Sequence, residues 1–498
     1  MENGTGTMRP PEGDADRLLR TVAGALLLAA VNQWLFFDKP FGATVPIFVA
    51  LLYAWYFSVI GPGNRSGSPA AWILLAGIAL LSLTYVLFAN GVFYLLNVPA
   101  LWFLMAFHAV LHAGRAGRDW YRGQALANVF LHLVPGTLAS LPVPFRLLKG
   151  RMEGSVGRRR LMAAGKIAAG LLVALPVVLV VTALLASADR AFGRVLAFIP
   201  DLWPDMHPAE LVVRGVWFAV VFLALFGFVW SLAAGKPPGE AAAGSSGGMP
   251  AVDPLIVHTV LGAVNAVYAV FVAVQFSYLF GAWDGTLPDG TTYAEYARSG
   301  FFELSAVGAI NFGLLAAALA LSRPSDAGRK RMQRGLLTAL LVFTLVMLVS
   351  AHVRLSLYED AYGYTVMRFL VHAFLVYLGA LTAAALWRVW RDGVNLVRLF
   401  AAISLAAWLS INYIGTDRLV AELNIARHKA GGTLDAGYLS QLSDDAVPAM
   451  LKLKDDPGIR PELERRLERL EADAERRPTV SFNLARWRAL KLLEKELR

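Results

Sequence analysis

Residues 334–353 read RGLLTALLVFTLVMLVSAHV, a stretch of twenty residues in which Arg334 is the only residue with a full charge at neutral pH. An α-helix rises about 1.5 Å per residue, so about twenty apolar residues are enough to cross a hydrocarbon layer about 30 Å thick. A stretch with this length and composition predicts a membrane-spanning helix.

Similar apolar runs recur along the whole chain. Hydrophobic residues make up 57% of the sequence and charged residues only 16%, whereas an average soluble domain is about a quarter charged. The mean hydropathy is +0.54. We therefore predict an all-α fold, a polytopic transmembrane helical bundle of about eleven spans with a small C-terminal soluble helical domain. The spans are expected at 18–37, 41–60, 70–89, 91–113, 161–187, 210–234, 254–281, 301–322, 334–353, 365–387 and 394–414.

The loop charges predict the orientation. The net charge of +10 is concentrated in a few loops, which is typical of membrane topology and argues against nucleic acid as a partner. The segments 114–160 and 323–334 are strongly basic, as is the short loop that holds Arg388 and Arg391. By the positive-inside rule these loops are cytoplasmic, so we expect a cytoplasmic N-terminus and an extracytoplasmic C-terminus.

Composition also predicts the limits of the domains. We expect a cytoplasmic N-terminal tail at 1–17, N-terminal membrane helices at 18–234, a flexible linker at 235–253, C-terminal membrane helices at 254–414 and a soluble helical domain at 415–498. The basic segment 114–160 contains a proline-broken apolar part. That part either lies along the membrane interface or forms a loop packed on the helix ends.

Caps and turns outline the C-terminal domain, called the tail below. Asp417 is placed to cap a helix that ends near Gly431, and Asp456-Pro457-Gly458 predicts a turn. Pro461 opens a charged helix, and Ser481 is placed to cap the last one. On that last helix, one face is predicted to carry Leu484, Trp487, Leu490 and Leu493.

The usual catalytic signatures are absent from the sequence: there is no phosphate-binding loop, HExxH zinc motif, GxSxG elbow, dinucleotide fingerprint or kinase motif set. The chain has no cysteine, which excludes thiolate metal sites and a cysteine nucleophile. His108 and His112 have the i, i+4 spacing of metal ligands, but no third ligand is near in sequence, so hydrogen-bonded interior histidines are the better interpretation. His132, His258 and His372 each stand alone. We predict no cofactor and no metal.

Two segments carry polar residues near the predicted outer membrane surface. In the first, Glu303 lies about one turn inside a span, where a carboxylate is costly unless it is paired. In the second, arginine and tyrosine residues recur at helical spacing from residue 354. Either these residues anchor helix ends and pair among themselves, or they bind a substrate or partner. We expect Glu303 to lie near Arg354 or Arg368. The candidate cluster comprises Arg298, Glu303, Arg354, Tyr358, Asp360, Tyr362 and Arg368.

Three strings carry a family resemblance: YARSGFFEL, RLSLYEDAYGYTVMR and, in the tail, LVAELNIARHKAGGTLDAGYLSQLSDDAVPAMLKL. They resemble the shared motifs of a bacterial membrane-protein family catalogued as domain of unknown function 4153/4173, over roughly residues 160–498. The resemblance implies a polytopic inner-membrane protein with an appended helical tail, and it implies no reaction. Near the end, Phe482 stands where the family pattern implies a tryptophan.

Three function classes follow from these observations. The first is a non-enzymatic envelope protein that lies in the lipid bilayer and binds a protein or lipid partner through its tail. The second is a transporter or lipid-handling protein that uses the arginine, glutamate and tyrosine cluster for an anionic group. The third is an intramembrane transferase with Glu303 or a histidine as its base. The absence of a catalytic motif favours the first.

Overall fold

A computed structural model describes residues 12–61, 68–116, 120–121, 124–143, 208–234, 252–283, 301–322, 324, 326–476 and 478–498. All regular structure in these ranges is helical, which confirms the all-α prediction. Eight helices in the described part are long and apolar enough to cross a membrane. Helix Thr44–Ile60 and the stretch Ala306–Leu321 are also apolar but shorter. The protein is thus a multi-pass membrane protein.

Ten of the eleven expected spans correspond to described helices. The expected span at 161–187 lies outside the described residues. The helices before the linker are α1 Glu12–Phe36, α2 Thr44–Ile60, α3 Pro69–Leu87, α4 Gly91–His112, α5 Gln124–Leu131, α6 Thr137–Ser140 and α7 Pro208–Ala233. Those that follow are α8 Pro254–Trp283, α9 Phe301–Leu321, α10 Ala327–Tyr362, α11 Val366–Trp390 and α12 Leu396–Tyr413. The tail contributes α13 Thr416–Lys429, α14 Ala436–Gln441, α15 Val447–Met450, α16 Arg460–Arg476 and α17 Leu484–Leu497.

Helix α10 is longer than the apolar run from which it was predicted. It has 36 residues and begins after Asp326, whose side chain accepts a hydrogen bond from the backbone N–H of Arg329. Hydropathy marks only the part of a helix that lies in lipid, whereas the polar residues on both sides of 334–353 are also helix formers. The second polar segment is therefore mostly helix, and only residues 363–365 connect α10 to α11.

Contacts divide the described residues into two compact units. The first lies within Met1–Val86, Leu96–Gly244 and Arg477–Phe482. In it, α1 packs against α7, and the indole N–H of Trp217 donates to Asn32 Oδ1 at 2.8 Å. Close packing requires a small residue at Gly24, because a Cβ there would lie 2.0 Å from the Trp55 ring. Small residues and interhelical hydrogen bonds are the usual means of helix association in lipid.

The basic segment contributes α5 and α6 to this first unit. The two helices flank a π-helical turn at His132–Gly136, and His132 Nδ1 lies 3.2 Å from Ser231 Oγ of α7. Arg115 caps the end of α7 by donating to the carbonyl oxygen of Leu232. The described part of the segment therefore packs along α7, and its depth in the membrane stays a prediction.

The second unit lies within Leu87–Leu95, Ser245–Arg476 and Asn483–Arg498. Its membrane part packs α8, α9, α10 and α11 around an apolar core that includes Leu315, Leu340 and Ala385. A polar chain crosses this core: Tyr268 donates to Asn311 Oδ1 at 2.7 Å, and Asn311 Nδ2 donates to Thr344 Oγ1 at 2.9 Å. Such bonds fix the register of helices that the hydrophobic effect cannot order in lipid.

The tail helices in the second unit share one apolar core. Its fully buried members include Val420, Met450, Leu463 and Leu493, and Phe369 of α11 packs against it. Helix α13 ends near Gly431, which has φ +95°, as predicted from the sequence. The limits of the predicted domains stay a prediction.

Two local predictions in the tail were wrong. Asp417 does not cap α13, because Gly415 occupies the cap position and Asp417 is buried in the first turn. Ser481 lies in a 3₁₀ turn, and Asn483 caps α17 instead. On the predicted face of α17, Leu493 is buried and Leu490 packs against the tail core, whereas Trp487 is 49% exposed.

Candidate functional site

The connection between α10 and α11 holds most of the predicted polar cluster. Gly363 ends α10 with φ +80°, a conformation that L side chains rarely adopt, and its N–H donates to the Glu359 carbonyl oxygen at 2.7 Å. Thr365 then caps α11 by accepting from the N–H of Arg368. Gly363, which ends α10, and Thr365, which caps α11, therefore allow the chain to reverse its direction within three residues.

Within the predicted cluster, the structure brings Arg368 and Tyr358 together. The Arg368 guanidinium carbon lies 3.9 Å from the centre of the Tyr358 ring, and Arg368 Nη1 donates to the Gly363 carbonyl oxygen. The Tyr358 and Tyr362 rings lie 5.1 Å apart. The Arg368 guanidinium therefore contacts residues of the α10–α11 pair itself.

The first motif cannot be placed beside this group. Arg298 and the side chain of Glu303 lie outside the described residues, so the expected proximity of Glu303 to Arg354 or Arg368 stays a prediction. Arg354 itself is half-buried on α10, one helical turn before Tyr358. The side chain of Asp360 is exposed.

The tail binds this connection through side chains that contact its backbone. Asn424 of α13 accepts from Tyr364 N–H at 2.9 Å and donates to the Tyr364 carbonyl oxygen at 2.7 Å. Arg427 donates to the carbonyl oxygens of Asp360 and Ala361, the last orphan acceptors of α10. These contacts satisfy backbone groups that a helix end leaves unpaired.

Tyr438 adds a further contact by accepting a hydrogen bond from Val366 N–H at 2.7 Å. Burial of this phenol raises the pKa of Tyr438 above its usual value, so it stays neutral and keeps its proton.

A second connection, between α3 and α4, is bound by other tail residues of the same unit. Asp417 accepts from Asn90 Nδ2 at 2.9 Å, and Asp445 accepts from Ala89 N–H at 2.8 Å. The Ser443 hydroxyl donates to both carboxylates. We call the contacts of the tail with residues 88–94 and 360–366 the tail joint.

Asn483 completes the tail joint on the α3–α4 side. Its Nδ2 donates to the Phe88 carbonyl oxygen at 2.6 Å and to the Tyr94 hydroxyl at 2.9 Å. Its Oδ1 meanwhile accepts from the N–H of Arg486. One side chain thus caps α17 and binds the connection.

The carboxylates in the tail joint differ in their surroundings. Burial raises the pKa of Asp445 to about 6, and the nearby carboxylates of Asp417 and Asp444 add to the rise. Asp444, by contrast, lies 2.7 Å from Arg469 and 3.6 Å from Arg486. Asp445 therefore takes up a proton just below neutral pH.

A third polar group was missed by sequence reasoning. His372 is not alone: its Nε2 lies 2.9 Å from Glu359 Oε2 and its Nδ1 lies 2.8 Å from Nδ1 of His352. Glu359 is only 5% exposed. The i, i+7 spacing of His352 and Glu359 indicates that both lie on one face of α10. Their contact with His372 of α11 could not be predicted, because it depends on the length of the connection between the two helices.

His108 and His112 are interior histidines that contact tyrosines of α2. Tyr53 lies 3.1 Å from His108 Nδ1, and Tyr56 lies 3.2 Å from His112 Nδ1. No group of three or more histidine, aspartate or glutamate side chains suited to a metal ion occurs in the described part of the chain. The described residues thus provide two candidate sites: the tail joint, and the polar group formed by His352, Glu359 and His372.

Comparisons with known proteins agree with the family resemblance. No curated protein and no solved structure matches the chain. The family described as Domain of unknown function (DUF4153) matches residues 75–453. This range begins within α3 and ends before α16, so it extends further towards the N-terminus than the motifs indicated, and it omits the weak final motif. Since the match covers more than half of the sequence, the chain belongs to this family, which is defined by a domain of unknown function.

Proposed function

We propose that this protein is a non-enzymatic envelope protein of the cytoplasmic membrane, in which the membrane helices hold the tail on the extracytoplasmic face to bind a protein or lipid partner. The tail joint carries this proposal. Partly buried hydrogen bonds from several side chains, and not a flexible tether, connect the tail to two helix connections. Because these contacts bind backbone groups of both connections, the tail is held in a fixed orientation, as binding of a partner would require.

Charge supports the orientation. Lys330 and Arg334 of α10 each lie 2.9 Å from Asp392, and Arg388 lies 3.7 Å from the same carboxylate. We call this group the basic end of the α10–α11 pair. The tail joint lies at the opposite ends of the same two helices. Basic residues collect on the cytoplasmic side, so the tail belongs on the other side.

The number of crossings supports the same topology. The tail contacts the α3–α4 and the α10–α11 connections, so both must lie on one side of the membrane. Between them the described helices α4, α7, α8, α9 and α10 give five crossings if each spans, an odd number. The span predicted at 161–187 would make the number six, as the common side requires.

The contacts argue against the transporter alternative. An anion site needs donors that are free to turn towards a ligand. Arg368 is held by Tyr358 and by the Gly363 carbonyl oxygen, and Arg427 donates to three carbonyl oxygens, including that of Thr433. Arg368 and Arg427 therefore have a structural role at the connection between α10 and α11.

Photo-crosslinking in intact cells tests the proposal. The photoreactive residue p-benzoylphenylalanine is placed at position 487, where the native tryptophan is 49% exposed, with position 390 on α11 as a control site. We expect an adduct with one protein or one lipid from position 487. An Asn424→Ala background should reduce it several-fold. Asn395→Ala, which removes a helix cap at the basic end, should leave it unchanged.

The mass of the adduct distinguishes a polypeptide partner from a lipid. The proposal fails if position 487 gives no adduct, or if the adduct is unaffected when protease accessibility shows that Asn424→Ala has released the tail.

A further inference from the structure

The group formed by His352, His372 and Glu359 lies where the membrane part of α10 ends. Residues 335–351 carry no charged side chain, and at about 1.5 Å per residue they span about 26 Å. His352 is the next residue and is exposed, whereas Glu359 is buried two turns further on. The group therefore connects the membrane surface on the tail side to a buried carboxylate.

With Glu359 ionised, these contacts allow one set of hydrogen-bond directions. An ionised carboxylate can only accept, so Nε2 of His372 donates to Glu359. The Nδ1 of a neutral His372 must then accept, and Nδ1 of His352 donates to it. This leaves Nε2 of His352 with its lone pair, on an exposed ring. Through its hydrogen bond to His372, the buried carboxylate of Glu359 thus determines which nitrogen of the exposed His352 ring carries the proton.

The same contacts suit a second state with one more proton. If Nε2 of His352 takes a proton from an O–H donor, its Nδ1 proton moves to Nδ1 of His372. His372 is then an imidazolium that donates to both neighbours, and it forms an ion pair with Glu359. No hydrogen bond is lost, only the donor of the histidine–histidine bond changes, and the charge of the group rises from −1 to 0.

We propose that His352, His372 and Glu359 form a proton relay in which Nε2 of His352 is the base that accepts a proton from a hydroxyl group or water at the membrane surface. This site goes beyond partner binding by the tail and does not depend on it. A hydroxyl-bearing lipid headgroup is the class of ligand from which such a base would accept a proton.

Charged residues lie on each of the elements that contribute to or approach the relay. Arg354 and Asp360 lie on α10 and Arg368 lies on α11, while Arg427 reaches from the tail to the last carbonyl oxygens of α10. The second carboxylate oxygen of Glu359, Oε1, is buried without a hydrogen-bond partner in the described part of the chain.

Acylation by diethyl pyrocarbonate, which attacks the unprotonated nitrogen of a neutral histidine, tests the relay on the full chain in lipid nanodiscs. His428 of the tail is a matched internal control, since its Nδ1 contacts the Gly432 carbonyl oxygen and its Nε2 is also the basic atom. At neutral pH we expect His352 to react faster than His428. Glu359→Gln should slow His352 on the order of tenfold, because base strength follows the paired charge.

Glu359→Asp keeps the carboxylate and should recover part of the rate, while His428 should react equally in all variants. Equal rates at His352 in the native protein and in Glu359→Gln would overturn the proposal. If the variants fail to fold, ¹⁵N-histidine spectra of the native protein decide. The relay requires Nδ1–H on His352 when His372 is neutral, and an Nε2–H tautomer of His352 beside a neutral His372 would overturn it.

Discussion

The two ends of the α10–α11 pair are built on different principles. At the basic end, Asp392 pairs with Lys330 and Arg334 in contacts that are largely exposed. At the other end, the tail joint consists of half-buried hydrogen bonds between the side chains of Asn424 and Tyr438 and backbone groups of residues 364 and 366. Exposed ion pairs contribute little to stability, whereas an unsatisfied buried group is costly. We therefore expect the basic end to determine the orientation of the protein in the membrane and the tail joint to stabilise the folded structure.

Accessibility gives the largest expected difference between the two ends. The chain has no native cysteine, so single cysteines can be introduced without background. We expect Ala474→Cys on α16 to react with an impermeant maleimide in intact cells, and Arg331→Cys at the basic end to react only after the membrane is opened. Reaction of Ala474→Cys in opened cells alone would remove the extracytoplasmic assignment of the tail.

A glycine substitution gives the next effect. Gly363 has φ +80°, and a Cβ there would lie 2.9 Å from Asn424 Oδ1. Gly363→Ala combines a left-handed backbone penalty of about 1–2 kcal/mol with weakened contacts, so we expect a loss of about 3 kcal/mol. Thermal unfolding of the full chain measures it. The control is Gly393→Ala at the basic end, where a Cβ meets nothing within 4 Å; an equal loss there would contradict the comparison.

Loss of side-chain contacts should have a smaller effect. Asn424→Ala leaves Tyr364 N–H and its carbonyl oxygen without these partners, at a cost of about 2 kcal/mol. At the basic end, Asp392→Asn removes exposed ion pairs and should not change the unfolding temperature measurably. Limited proteolysis would locate the opening within the tail in the first variant. A larger effect of Asp392→Asn than of Asn424→Ala would reverse the assignment of structural roles.

The sequence predicted what depends on local patterns. Apolar length located ten described helices, and Gly431 marked the end of α13, because burial in lipid and backbone conformation act within one segment. The sequence did not identify the residue that a buried polar side chain contacts. Asp417 resembles a helix cap, but Asn90, more than three hundred residues earlier, donates to it. For the same reason His372 seemed isolated, since its partners lie on the preceding helix.

The pH dependence of the tail joint is the smallest expected effect. Burial raises the pKa of Asp445 to about 6 from an ordinary value near 3.8. A carboxyl whose pKa is raised on folding stabilises the folded state when protonated, and this contribution is lost as the pH rises through about 6.

Acidification from about pH 7 to about pH 5 should therefore stabilise the joint by about 1 kcal/mol through this residue. Other carboxyls act in the opposite direction: ion pairing with Lys454 lowers the pKa of Glu496, for example. The difference between the native protein and Asp445→Asn isolates the contribution of Asp445. The amide introduced by this substitution would keep an acceptor for Ala89 N–H but cannot titrate, so the variant should lack the stabilisation on acidification. Parallel unfolding temperatures of the two proteins over this pH range would show that Asp445 is not titrating in the joint.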